Sequence, residues 1–369
     1  MTRSFAELPG LVEELLAEHD RVALVYFDAF GWRFVERHAD HPLFARASVE
    51  KWSTQFPSTT TVHATTIHTG LPLAEHGLYE WHVYEPRLNR LIIPLWLCFA
   101  GEQARDTCLA AGLRVEDVFP FPTLYERLDV PSHVAMPASF AGSAPNARLL
   151  AGATVHPFGT PTDGLERLVG ALAAEERAYG TIYLPAVDAF MHEHGPGAPE
   201  VPVLMDATLT ALSEARWPEG TAVLLTADHG MAAISPERTS YVNVVWPELA
   251  GRLLHGADGK PLAPAGSCRD LFLHVLPERL DEVEARLSER LAGVAEVRTV
   301  EALLDDGLFG SNVTEALTSR LANLVVLPEP GQAAYWLEPG RFEQTFLGQH
   351  GGMTANELEI PLVSWIAGG

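Results

Sequence analysis

Seven side chains spread along the chain have the types and settings that chemistry needs: Asp28, Thr60, Asp188, His192, Asp228, His229 and His350. Carboxylate oxygen plus imidazole nitrogen is a ligand mix that suits zinc first, with manganese or iron behind it. Asp188 and His192 are four apart, so a helix there would set both on one face. Asp228 and His229 are adjacent, and a turn is needed to aim both at one region. His350 lies in GQHGGMT, where glycines let the backbone approach a ligand closely. Thr60 is the candidate nucleophile. A threonine hydroxyl attacks poorly at neutral pH unless a metal or an adjacent base takes its proton. A divalent cation does this and also screens an incoming phosphate. The start of a helix adds free N–H groups and a positive dipole facing the anion.

Taken singly, each of these residues has a plainer reading. A histidine on an apolar face is usually structural, and Ser58, Thr59, Thr60 and Thr61 could simply cap a helix. Most of the remaining histidines read as surface or core residues, while His76 and His194 could equally orient loops. The shared context changes the balance. Nearly every candidate follows an apolar strand-like run or a Gly-rich turn, which is where an open α/β sheet places its ligands.

The elements that must position them follow from the apolar pattern. Residues 21–27 (RVALVYF) form a continuous run ending at Asp28, as expected for a strand buried on both faces. Residues 57–70 predict a turn and a short helix, started by Pro57 and the Ser/Thr run and stopped by Gly70 and Pro72. Residues 133–137, 180–184 and 221–226 read as strands; 162–178 and 201–215 read as helices. Alternating buried strands and amphipathic helices argue for an α/β fold with a doubly wound, mostly parallel sheet sandwiched by helices. After Met231 the character changes. A turn-rich 255–267, a strand at 270–276, an amphipathic helix at 277–292 and a strand at 294–300 predict a small α+β insertion. The expected division is a core of residues 1–239 plus 341–369 and an insertion, or cap, of 240–340.

Composition narrows the class of function. The chain has 369 residues, 47% of them hydrophobic, enough for a sizeable core. A formal net charge of -23 argues against a nucleic-acid polymer or an anionic membrane as partner. Cys98, Cys108 and Cys268 make no CxxC pair, which suggests a reducing compartment. The first twenty residues are acidic and amphipathic, unlike a secretory signal, and the longest apolar run, 91–100, contains a proline and is too short to span a bilayer. A cytoplasmic protein is expected. GxxxxGK[ST], GxSxG and GxGxxG are all missing, which disfavours P-loop, α/β-hydrolase and dinucleotide readings.

In order, FDAFGW, FPSTTTVHATTIHTGLPLAEHG, YLPAVDAFMHEHGP, TADHGM and GQHGGMTANELEIPLV resemble the alkaline phosphatase superfamily, and within it the nucleotide pyrophosphatase/phosphodiesterase branch. The resemblance runs from about residue 21 to 365, outside the insertion. It implies a hydrolase with two divalent ions acting on a small phosphate ester, a nucleotide among the candidates. One ion would be bound by Asp28, Asp228, His229 and Thr60, the other by Asp188, His192 and His350. Counting back from Gly70 identifies Thr60 as the attacking residue. It also implies in-line attack by Thr60, a phospho-threonine intermediate, and release by water between ions about 4 Å apart.

One position departs from the pattern. Diesterases of this branch usually carry an asparagine about twenty residues after the threonine; here Trp81 stands there. The oxyanion donor would then come from the Thr60 N–H, Tyr79 or His82, or be missing; Phe30, Trp32, Tyr79, Trp81 and Phe190 are candidates to stack a base, with packing between core and insertion as the plainer reading. The rival activities are phosphomonoester and phosphonate hydrolysis on the same scaffold. A sulfatase is disfavoured because C/S-x-P-x-R is missing. From another class, a non-catalytic metal-binding relative would bind ions and turn over neither ester.

Overall fold

The computed structural model describes residues 3–368. Seven strands build the central sheet: β1 Arg21–Phe27, β2 Ser48–Ser53, β3 Ser132–Pro137, β4 Ala153–Phe158, β5 Ala178–Leu184, β6 Ala222–Thr226 and β7 Glu359–Ile366. Their spatial order is β2-β7-β6-β1-β5-β3-β4. The run β6-β1-β5-β3-β4 is parallel throughout, and β7 is antiparallel to both β6 and β2. Six consecutive residues of β1 are buried. Successive side chains point to opposite faces, so both faces of this strand are covered.

The mostly parallel sheet agrees with the sequence expectation, with differences at its margins. The apolar pattern of the sequence does not mark β2, β4 or β7. β4 is a half-exposed edge strand, and β7 is interrupted by Pro361. The helix expected over 162–178 is Pro161–Ala174, because the chain must turn at Glu175 to enter β5 beside β1. The run 91–100 breaks at Pro94 into two short strands, Arg90–Ile93 and Cys98–Phe99.

α1, Thr60–Thr69, is a helix that intrinsic propensity would not make, since Thr, Val and Ile dominate it. Burial makes it: eight of its residues are buried. Two of its hydroxyls bond back along the helix, Thr65 Oγ1 donating to Thr61 O and Thr69 Oγ1 to Thr65 O, each at 2.7 Å, while Thr61 Oγ1 is buried without a partner. Gly70, at φ 70°, ends it.

A second hydrophobic cluster lies apart from the central sheet. It holds Trp246, Phe272, Leu287 and Val326, but also Leu78, Tyr79, Ile92 and Phe119. Its four-stranded antiparallel sheet comprises Ala265–Gly266, Leu271–Leu273, Leu324–Pro328 and Ala295–Thr299, with Val283 and Leu287 of the helix Leu280–Arg290 buried. Among the described residues, no helix is long and apolar enough to cross a membrane.

Candidate active site

Three neighbouring strands end in the three aspartates. β6 leads to Asp228, β1 to Asp28, and β5 to the helix Ala186–His194 that carries Asp188. Sheet order alone therefore brings together carboxylates that lie up to 200 positions apart, since 228 − 28 = 200. His192 follows one helical turn after Asp188, its Nε2 at 3.4 Å from Asp188 Oδ2. His350 arrives through a short antiparallel pair, Ala232–Ala233 with Gly348–Gln349, which anchors its loop beside the turn after Asp228. Thr60 opens α1, half-buried, its hydroxyl 3.2 Å from His229 Nε2. The seven candidates thus meet at one place.

The imidazoles are aimed by backbone. Nδ1 of His192 bonds Gly348 O, Nδ1 of His229 bonds Gly230 O, and Nδ1 of His350 bonds Ser58 O, each at 2.9 Å. A carbonyl accepts, so each Nδ1 carries a proton and each Nε2 is turned into the site, able to give a lone pair once it holds no proton. His229 Nε2 then faces Asp228 Oδ2 at 3.1 Å and Asp28 Oδ1 at 3.5 Å. His350 Nε2 stands 4.0 Å from Asp188 Oδ1, and the rings of His229 and His350 stack at 3.5 Å. Lone pairs and carboxylates crowded like this repel unless positive charge sits among them.

The carboxylates carry the same message. Oδ1 of Asp28 and Oδ1 of Asp188 are buried without a hydrogen-bond partner. Burial and the nearby charges of Asp188 and Asp228 push the Asp28 carboxyl well above its ordinary range. Burial raises Asp188 too, against the pull of His192 and His229. Burial also pushes Asp228 upward, but its His229 neighbour outweighs that and holds it low. Two triads have ligand atoms close enough for one ion each: Asp28, Asp228 and His229, and Asp188, His229 and His350. His229 belongs to both, and His192 flanks the second through Asp188. The donor set fits divalent cations.

Some contributors were not foreseen. The Tyr26 hydroxyl donates to Asp228 Oδ2 at 2.7 Å, and the Tyr183 hydroxyl donates to Asp28 Oδ2. Their position in apolar strands marks them as core, and only the side each faces reveals the role. Of the candidate substrate contacts, Trp81 and His82 line the cleft that opens over Thr60, a cavity of roughly 610 Å³. Trp32 and Tyr79 do not line it. Trp32 is half-buried against the main core, donating to Glu36 and covered by Lys51. Tyr79 is wholly buried against Phe272 in the second cluster. Both are removed from the contact set. Apolar demand drew Tyr79 inward, and its hydroxyl reaches Arg320 O.

A parallel-sheet hydrolase with aspartates and histidines gathered over a threonine at a helix start is the class this fold and site define: metal-dependent hydrolases of phosphoric esters in the alkaline phosphatase superfamily. The sequence signature of type I phosphodiesterase / nucleotide pyrophosphatase matches residues 22–353, and the chain belongs to that family. Murine ectonucleotide pyrophosphatase/phosphodiesterase 5 superposes with TM-score 0.66 at 18% identity, over 93% of this chain and 87% of that one. An inactive variant of it in complex with AMP gives TM-score 0.65 at the same identity and coverage. Phosphonoacetate hydrolase from Sinorhizobium meliloti 1021, bound to phosphonoformate, gives TM-score 0.63 at 18% identity, over 94% of this chain and 90% of that one. No curated protein sequence matches the chain.

Proposed function

We propose that the protein is a two-metal phosphodiesterase or nucleotide pyrophosphatase that works through a phospho-threonine intermediate on Thr60. The observation that carries this is the convergence of unpartnered Asp28 and Asp188 oxygens and backbone-aimed histidines on one hydroxyl. Asp28, Asp228, His229 and Thr60 would hold one ion, and Asp188, His192 and His350 the other, zinc being favoured over manganese or iron by the N/O donor set. Bound there, such ions supply Lewis acidity that favours the ionised hydroxyl and neutralises phosphoryl charge. The chain does the rest. Thr60 Oγ1 bonds to phosphorus as the ester oxygen departs, and water later breaks that bond. Tyr26 and Tyr183 keep Asp228 and Asp28 in place. The Thr60 N–H, first in its helix and so without an intrahelical partner, and His82 are the donors left for the phosphoryl oxygens. The Trp81 N–H is taken by Glu80, and Tyr79 is buried elsewhere.

The cleft suggests what lies beyond phosphorus. Trp81 meets Trp96 edge-on at 5.3 Å, and the Arg105 guanidinium lies over Trp96 and Phe140. An aromatic wall beside a phosphate site fits a small ester with a planar substituent, such as a nucleotide. Trp81 in place of asparagine keeps one rival open, hydrolysis of a monoester or phosphonate. The expected division into a core of 1–239 plus 341–369 and a cap of 240–340 belongs to this proposal as well. The second hydrophobic cluster supports it and draws in 73–119 as well, with Phe56, Val62 and Leu149 of the core joining it. Work in the cytoplasm is also proposed, supported by three buried thiols that make no disulfide.

The test is turnover of bis-p-nitrophenyl phosphate and p-nitrophenyl phosphate by metal-loaded protein and by Thr60→Ala. The diester should be preferred, and the variant should lose at least about a thousand-fold in kcat while still binding metal. Full activity in Thr60→Ala would end the nucleophile assignment, and preference for the monoester would favour the rival.

A further inference from the structure

The two glycines after His350 are pressed by side chains that the chemistry does not use. Gly351 sits at φ 117°, and a methyl group on it would lie 2.6 Å from Asp270 Oδ1 and 2.8 Å from Ser267 Oγ. A methyl group on Gly352 would lie 2.8 Å from Glu357 Oε1 and 3.2 Å from Arg269 Nη2. Ser267, Arg269 and Asp270 all belong to the insertion. It therefore rests directly on the loop that delivers His350.

Arg269 is fully buried, and its contacts explain how. Nε donates to Glu357 Oε1 and Nη2 to Glu357 Oε2, both at 3.0 Å, while Nη1 donates to the carbonyls of Glu329 and Gln332. Glu357 spends its remaining capacity on the loop: Oε1 accepts from Gly352 N at 3.0 Å, and Oε2 accepts from Thr354 N at 3.2 Å. The Ser267 hydroxyl bonds Asp270 Oδ1 at 2.6 Å and lies 3.1 Å from His350 O. From the other side, Ser58 Oγ accepts from Gly351 N at 3.1 Å and lies 2.9 Å from Gly352 O. The loop is clasped between the segment that bears Thr60 and the insertion. A planar, two-pronged guanidinium fixes direction as well as distance, which a lysine at that point cannot do.

We propose that Arg269 is a positioning residue: its two-pronged contact with Glu357 fixes the Gly351–Gly352 turn and thereby the imidazole of His350. The insertion is then part of the catalytic centre rather than a cover for it. This rests on reading His350 as a ligand of the second ion.

The experiment is zinc titration of chelator-stripped protein by calorimetry, with kcat and KM for bis-p-nitrophenyl phosphate, for the parent, Arg269→Lys, Ser267→Ala and His350→Ala. Parent protein should bind two ions. Arg269→Lys should bind one as the parent does and the other about ten-fold or more weakly. Its kcat should fall by about the same factor while KM stays within about three-fold. Ser267→Ala, a smaller cut beside the same loop, should show the same pattern at about three-fold, and it decides the matter if Arg269→Lys fails to fold. Folded variants with both zinc affinities and kcat within two-fold of the parent would overturn the proposal. A parent that binds no zinc, or a His350→Ala variant that still binds both ions normally, would instead remove the ligand reading beneath it.

Discussion

The Asp28 and Asp188 carboxyls are held above their ordinary range by burial and, for Asp28, by neighbouring negative charge, so both cling to protons longer than a free carboxyl does. His229 is also raised, because Asp228 and Asp188 outweigh the burial that would lower it. The sign follows directly. Metal competes with protons for these groups, so zinc affinity should rise with pH above the ordinary carboxylate value until the groups are ionised. For the same reason, stability that Asp28 and Asp188 lend the metal-free fold is present at low pH and is lost as pH rises through their folded values. Thermal melts from pH 5 to 8 check both: the rise in Tm on adding zinc should grow with pH, and a constant rise would contradict it. The convergence of the seven candidates was legible because nearly all follow an apolar run or a Gly-rich turn, where an open α/β sheet places its ligands. Tyr26 and Tyr183 were not, because a tyrosine in a buried strand looks like any core aromatic until its hydroxyl's neighbour is known.

The elements meet through glycine where no side chain fits. The turn after β1 and the turn after β6 touch at Gly31 and Gly230: a methyl group on Gly31 would lie 2.6 Å from Gly230 Cα, and one on Gly230 would lie 2.0 Å from Asn356 O. Both neighbours are backbone, which cannot step aside cheaply. Gly230→Ala should therefore destabilise the protein by about 1–3 kcal/mol, read from the urea midpoint, and should also weaken zinc binding, since Asp228 and His229 ride on that turn. Gly170→Ala, on a helix face with open space around it, is the control and should be neutral or slightly stabilising. The strand of β1 and the start and stop of α1 could be read from local pattern. β2, β4 and β7 could not. An edge strand needs only one apolar face, and Pro361 in β7 argues locally against a strand whose neighbours on both sides then hold it.

At the scale of the whole molecule, a second hydrophobic cluster is built mainly from two distant stretches, and only the later one was visible as a change of character after Met231. The earlier stretch, 73–119, follows α1 without a change in composition, so its transfer to the other cluster leaves no local mark. Glu85 and Arg320 join the two stretches as a buried ion pair, Arg320 Nη2 at 3.2 Å from Glu85 Oε2. Removing one partner leaves an uncompensated buried charge. Glu85→Ala should cost about 3–5 kcal/mol in denaturant unfolding, with the cap melting first; an unchanged midpoint would show that the stretches cohere without it.

The most direct measurement of the central claim is an anomalous difference map from crystals of the zinc-loaded protein. The account predicts two peaks flanking the Thr60 hydroxyl, one among Asp28, Asp228 and His229 and the other among Asp188, His192 and His350. A map with no peak there, or with a single ion that leaves Asp28 or His350 without a partner, would contradict it.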